Sequence, residues 1–185
     1  MTDTEKDAEL ITKAQKGNKE AYGEIVKLYM KRAYFSALSI VGSHDDALDL
    51  SQDAFIRAYR SIRNFDTTKK FYTWYYKILR NLCLNHLRDK SNRANNFSEI
   101  LEDLENIKDE SQSTDKMIEQ NENKKIVWEA IWKLTPEDRE IITAKDILNT
   151  SYEDIAGLLQ VPTGTVMSRL YYARKRLRKI IEELQ

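Results

Sequence analysis

The chain has 185 residues, with 30 Lys and Arg against 30 Asp and Glu, so net charge alone selects neither a polyanion nor an acidic substrate as partner. A single Cys excludes an internal disulfide, and with no signal peptide a reducing cytosol is the expected compartment. Five Gly and two Pro leave few turns among many helix formers, which points to an all-α protein, and no apolar run approaches the ~18 residues of a membrane span.

Periodicity predicts a first helix from Asp3 to Lys16, acidic at its start and stopped by Gly17. The second runs from Lys19 to Ile40, with an apolar stripe of Tyr22, Ile25, Val26, Tyr29, Ala33, Ala37 and Ile40, and ends at Gly42. A capping-box-like start, Ser43-His44-Asp45-Asp46, opens the third, which reaches Ile62. Asp46, Asp49 and Asp53 share one of its faces with Asp45 and Gln52 beside them; Ala47, Ala54, Phe55, Ala58 and Ile62 fall on the other. Clustered carboxylates can bind a divalent cation or do acid–base chemistry. Carboxylates spread along an open helix face rarely converge on a point, so a solvated or docking face, complementary to a basic partner, is favoured. A metal-dependent hydrolase would need further inward ligands, and His44 and His86 do not supply a set.

Asn64 to Lys69 is a loop by composition, and the fourth helix runs from Lys70 to Lys90. Phe71, Tyr75, Ile78, Leu79 and Leu82 form its buried arc, while Trp74, Lys77, Asn81, Asn85 and Arg88 form a separate stripe. One Trp, two cations and two amides suit unpaired bases, because stacking on an aromatic tolerates any base. Trp74 reads equally as half-buried core and as that stacking surface. Cys83 and His86 read as packing residues, since no second Cys or nearby His completes a metal site.

Charge is unevenly placed. From Arg60 to Arg93 nine basic residues face two acids, and from Glu99 to Glu122 nine acids face Lys108 and Lys116. The polar, acidic stretch from Ser91 to Thr114 reads as a linker. A helix from Asp115 to Lys133 follows. Thr135-Pro136-Glu137-Asp138 then starts a helix that reaches Ile147, with a cap, Pro at the first position and acids in the first turn.

Ser151 to Lys179 reads as two helices about the turn Val161-Pro162-Thr163-Gly164, a helix-turn-helix. Ile155, Ala156 and Leu159 face inward from the first; Val166, Leu170, Ala173 and Leu177 make the apolar face of the second. Ser168, Tyr171, Tyr172, Lys175 and Lys179 then point outward, flanked by Arg169 and Arg176 on one side and Arg174 and Arg178 on the other. Such a face fits the major groove, with its cations on phosphates and the helix N-terminus at Thr163-Gly164-Thr165 offering amide donors. The first helix supports and the second reads.

In this order the pieces resemble a bacterial RNA polymerase sigma factor of the extracytoplasmic-function (ECF) type, in the sigma-70 superfamily, over most of the chain outside the linker. "DDALDLSQDAFIRAYRSIRNF" is similar to that family's polymerase-docking helix and "KKFYTWYYKILRNLCLNHLRDK" to its promoter-melting, minus-ten-reading helix. "LTPEDREII" followed by "SYEDIAGLLQVPTGTVMSRLYYARKRL" is similar to its minus-thirty-five-reading domain. The resemblance implies two small helical domains, 1–91 and 115–185, joined by an acidic flexible linker, 92–114. It implies a transcription initiation factor that binds core RNA polymerase, directs it to promoter DNA and helps melt the minus-ten element.

Asp46, Asp49, Gln52, Asp53 and Phe55 would meet polymerase. Asn64, Phe65, Asp66, Lys70, Trp74, Lys77, Asn81, Asn85 and Arg88 would meet minus-ten DNA, the loop capturing a flipped base. Thr163, Thr165, Ser168, Arg169, Tyr171, Tyr172, Lys175 and Arg176 would meet the minus-thirty-five element. Polymerase does the chemistry, so no catalytic residue, metal or cofactor is expected. The resemblance further implies a cytoplasmic monomer with a cognate anti-sigma factor.

Several positions depart from the family. Gln160 stands where Gly is common, Met167 where a basic residue is common, Tyr172 where Arg is common, and Tyr72 and Tyr75 where Arg and Leu are more usual. The upstream sequence preference therefore cannot be borrowed, and the added tyrosines either alter the minus-ten surface or repack it. The alternative function is a conventional helix-turn-helix regulator that does not bind polymerase. It accounts for the second domain but not for the acidic face or the Trp74 stripe.

Overall fold

The structure, a computed structural model, describes residues 3–90 and 126–184, and all regular structure among them is helical. The expected linker and the start of the helix placed from Asp115 lie outside the described residues. In the first part of the chain come α1 (Asp3–Gln15), α2 (Lys19–Val41), α3 (His44–Ser61) and α4 (Phe71–Lys90), with a 3-10 turn at Ile62–Asn64. In the second come α5 (126–132), α6 (Pro136–Ile142), α7 (Tyr152–Leu159) and α8 (Thr163–Leu184). The two sets form separate compact units.

In the first unit α2 packs against both α1 and α4. Ala33, Ala37, Ala47, Ala54 and Ala58 have no exposed surface, and small side chains at these positions let the helices close on one another. Aromatic rings fill the remaining space. Phe55 of α3 stacks on Tyr75 of α4 at 4.3 Å between centroids, and Tyr29 of α2 lies 5.5 Å from Phe71 and 5.4 Å from Tyr72.

Their hydroxyls are paired, as burial requires. Tyr22 donates to the Phe55 carbonyl at 2.5 Å, Tyr75 donates to the Ser51 carbonyl at 3.1 Å, and Tyr72 meets Ser36 Oγ at 2.9 Å. Burial pushes the Tyr72 phenol up to about 12 and raises Tyr22 and Tyr75 as well. The buried arc of α4 contains Phe71, Tyr75, Leu79 and Leu82 as expected, with Ile78 half-buried. Tyr72 and Tyr76 are buried too, and with both Tyr72 and Tyr75 inside, the two family-atypical tyrosines repack the core rather than alter a surface. Cys83 is fully buried among them.

The second unit closes around Ile131, Leu134, Ile141, Ile142, Ile155, Val166, Leu170 and Ala173. Its helix starts are capped as their sequences indicate. Thr135 Oγ1 accepts from the Asp138 amide at 3.3 Å with Pro136 at the first position, and Ser151 Oγ accepts from the Asp154 amide at 3.1 Å.

The helix expected to run to Ile147 is α only to Ile142. It then widens to a π segment, Thr143–Ile147, whose exit is closed by the Leu148 amide on the Thr143 carbonyl at 3.0 Å. In α7, Ile155 is buried as expected, Ala156 and Leu159 are half-buried, and Leu158 is the further buried residue. Gln160 then takes φ 56°, a left-handed C-cap with its amide on the Ala156 carbonyl, and α8 begins at Thr163.

Candidate nucleic-acid and polymerase interfaces

On α3 the polar face is presented in part. Asp45, Asp49 and Gln52 are exposed, while Asp46 and Asp53 are half-buried. Asp46 Oδ2 of α3 lies 3.3 Å from His86 Nε2 of α4 without forming a hydrogen bond to it, and Asp53 accepts from Arg57 Nε at 3.0 Å along the helix. Phe55 differs from its proposed companions. It is 3% exposed and stacked on Tyr75, so it offers no surface to a partner; its part is to seat α3 on α4. Ile56, not among the expected contacts, is 52% exposed one turn beyond Gln52. Its signal was an apolar residue on a predicted polar face.

The loop before α4 is built, not loose. Asp66 Oδ1 accepts from the Thr68 amide at 3.0 Å and from Thr68 Oγ1 at 2.7 Å, and these bonds hold its carboxyl below the usual range. Gln15 of α1 donates from Nε2 to the Ile62 carbonyl at 3.0 Å and to the Phe65 carbonyl at 2.7 Å. Nothing in the local sequence of Gln15 announced that tie, which joins residues far apart in the chain. Phe65 is buried, 4.9 Å from Trp74 and 5.9 Å from Phe71, so it anchors the loop rather than facing a ligand. Asn64, Asp66 and Lys70 are exposed around it.

Along α4, Lys77, Asn81, Asn85 and Arg88 are all exposed, with Arg88 hydrogen-bonded to Asn85 Oδ1. Trp74 is half-buried against Phe65 and Phe71, so one stripe of the helix runs from an aromatic cluster into amides and cations.

On α8, Val166, Leu170 and Ala173 are buried, and Ser168, Tyr171, Tyr172, Lys175 and Lys179 are exposed on the other side. Thr163 and Thr165 are half-buried at its start, and Arg169 is exposed. Ser168 Oγ donates to the Thr165 carbonyl at 3.1 Å, which leaves the hydroxyl free only as an acceptor.

Two arginines are already engaged. Arg176 forms a two-pronged pair with Asp138 of α6, Nε to Oδ2 at 2.5 Å and Nη2 to Oδ1 at 2.8 Å. The Asp138 side chain is only 8% exposed, so this pair braces α8 against α6, and Arg176 is a brace before it is a phosphate ligand. Arg174 is likewise held on Asp146, from the π segment. Hydrogen bonding to these carboxylates raises both guanidinium groups further. Among the described residues no group of three or more His, Cys, Asp and Glu converges as a metal site.

Residues 25–93 match the family description Sigma-70 region 2, and residues 124–177 match Sigma-70, region 4. The chain is 32% identical over 189 residues to the RNA polymerase sigma-H factor of Pseudomonas aeruginosa, covering 100% of this chain and 98% of that one. It is 33% identical over 184 residues to the ECF RNA polymerase sigma-E factor of Haemophilus influenzae, covering 96% of each. In fold it is similar to CnrH solved in complex with the cytosolic domain of CnrY, with a TM-score of 0.71 at 22% identity over 96% of this chain and 98% of that one. It is similar also to the sigma factor RpoE from Bartonella quintana solved with the anti-sigma factor NepR, with a TM-score of 0.64 at 24% identity over 87% and 96%. Both regions of the sigma-70 family are thus matched, and the curated relatives are alike over nearly their whole length, so the protein belongs to the ECF sigma factors of bacterial RNA polymerase.

Proposed function

We propose that the chain works in the cytosol by lending promoter specificity to core RNA polymerase through three surfaces. Asp46, Asp49, Gln52 and Asp53 on α3 meet polymerase, with Ile56 as an apolar neighbour. The stripe Trp74, Lys77, Asn81, Asn85 and Arg88, with Asn64, Asp66 and Lys70 of the preceding loop, takes the unpaired minus-ten strand. Ser168, Arg169, Tyr171, Tyr172 and Lys175 on α8 face the minus-thirty-five groove, and Thr163 and Thr165 lie at the helix end that approaches phosphate.

The division of labour follows from chemistry. Unpaired bases offer π-faces and edges, which suit a Trp and amides; duplex DNA offers a groove wide enough for a helix. Extruding a base costs a few kcal/mol, and a loop already shaped by Asp66 and fixed by Phe65 and Gln15 recovers it without further ordering. The chain contributes no catalytic group, because polymerase makes the phosphodiester bond. A protein inhibitor of the anti-sigma type, covering these same surfaces, is the proposed control, supported by the full-length kinship with ECF factors.

The observation that carries this reading over a helix-turn-helix regulator is the exposed α4 stripe, for which a regulator has no use. Mixing the full chain with bacterial core polymerase on a sizing column tests it. Co-elution, weakened by Asp53→Ala, is expected. Separate elution, with a dimer on palindromic DNA, returns the regulator.

A further inference from the structure

Among the described residues, the large apolar side chains that the second unit leaves exposed are Val127 at 40%, Met167 at 51%, Tyr171 at 66% and Tyr172 at 55%. Three of the four stand on α8 away from its buried Val166, Leu170 and Ala173. A cluster of this kind on one outward face marks an interaction site. Met167 and Tyr171 lie one turn apart and, with Leu170 and Tyr152 behind them and Lys175 and Arg178 beside them, line an open groove of about 540 Å³.

Part of the hydrogen-bonding capacity of this face is already spent. Of the four arginines of α8, Arg174 is held on Asp146 and Arg176 on Asp138, and Ser168 gives its proton to the Thr165 carbonyl. The centre is a thioether and two phenol rings; the rim is Arg169, Lys175 and Arg178, all exposed. An apolar centre with a cationic rim complements the major groove at thymine, whose C5-methyl is the apolar group presented there, with phosphates on either side for the rim. An apolar protein helix would leave those cations without counter-charge.

We propose that Met167 and Tyr171 read thymine through its C5-methyl group in the upstream promoter element. This rests on α8 being the helix that reads that element. A methyl contact demands no donor or acceptor alignment, and an unbranched thioether adapts its shape to one. A rise of ~1.5 Å per residue separates the two side chains by ~6 Å along the helix, close to two base steps of ~3.4 Å. Two methyl-dependent positions about two steps apart are therefore expected.

The experiment uses holoenzyme assembled from the full chain and core polymerase. Its upstream element is first selected from random DNA. Each thymine in the selected element is then replaced singly by uracil, which differs only in lacking the methyl. Binding is expected to weaken about fourfold at each of two positions. Met167→Ala removes the sensitivity at one and Tyr171→Ala at the other. Both side chains are exposed, and the uracil series on unchanged protein needs no variant at all. Tolerance of uracil at every thymine, an element without thymine, or an undiminished uracil penalty in Met167→Ala overturns methyl readout alone. A holoenzyme that selects no upstream element overturns α8 as a DNA reader, and methyl readout with it.

Discussion

Gln160 holds a left-handed conformation, φ 56°, between α7 and α8, where a Cβ crowds the carbonyl. Gln160→Gly is expected to stabilise the second unit by about 1 kcal/mol, seen as a higher urea midpoint with an unchanged slope. Phe55 separates packing from contact. Phe55→Ala should cost about 3–5 kcal/mol in unfolding experiments, as for other buried rings cut to Ala. Phe55→Leu keeps most of the volume and should bind core polymerase as the parent does; a large loss of binding without loss of stability would return Phe55 to the interface. Both residues show what a single sequence conveys. Gln160 stood out only as a departure from the family's usual Gly; periodicity already set Phe55 on the apolar face of α3, against the contact that the resemblance implied, whereas only packing reveals that Phe65 faces inward.

At the scale of helices, spacing and caps foretold most of what the structure contains. Gly17 and Gly42 end α1 and α2 at φ 92° and 74°, Thr135 and Ser151 cap α6 and α7, and both faces of α8 fall where periodicity put them. What stayed hidden depends on contacts between distant segments. The tie from Gln15 to the loop before α4, the close approach of Asp46 to His86 and the Arg176–Asp138 brace each bring together residues that no local pattern relates. The π segment after Ile142 was hidden for another reason, since its residues suit an α-helix equally well and only its exit hydrogen bonds differ.

The brace has a direct test. Arg176→Ala should lower both the melting temperature of the second unit and its grip on upstream DNA, because Asp138 is left nearly buried without its partner. Arg176→Lys should rescue only partly, since an ammonium cannot form the two-pronged pair. Full stability with lost binding would instead identify Arg176 as a phosphate contact.

Across the whole molecule, the two units differ in how they answer alkali. The first buries Tyr22, Tyr72 and Tyr75, all raised above the ordinary 10.0 by burial; in the second, Tyr152 is half-buried and Tyr171 and Tyr172 are exposed. A phenol raised in the fold binds its proton more tightly folded than unfolded. Its contribution to stability is therefore complete below the unfolded value near 10 and is lost as pH rises through the folded value, about 12 for Tyr72. Alkaline titration followed by helical circular dichroism and tyrosinate absorbance should show the first unit melting together with a cooperative burst of phenol ionisation. Smooth ionisation with helicity retained would contradict this.

No helix among the described residues is long and apolar enough to cross a membrane; α4 and α8 each bury one face in the cores of their units. One residue of those cores reports on the rest. Cys83 is the chain's single cysteine and has no exposed surface in α4. A thiol reagent can reach it only when the first unit opens, so its labelling rate counts openings one molecule at a time without any introduced probe. Added to holoenzyme, the same reagent times how firmly polymerase and promoter clamp that unit shut, and a labelling rate that slows on DNA would measure the grip from inside the protein.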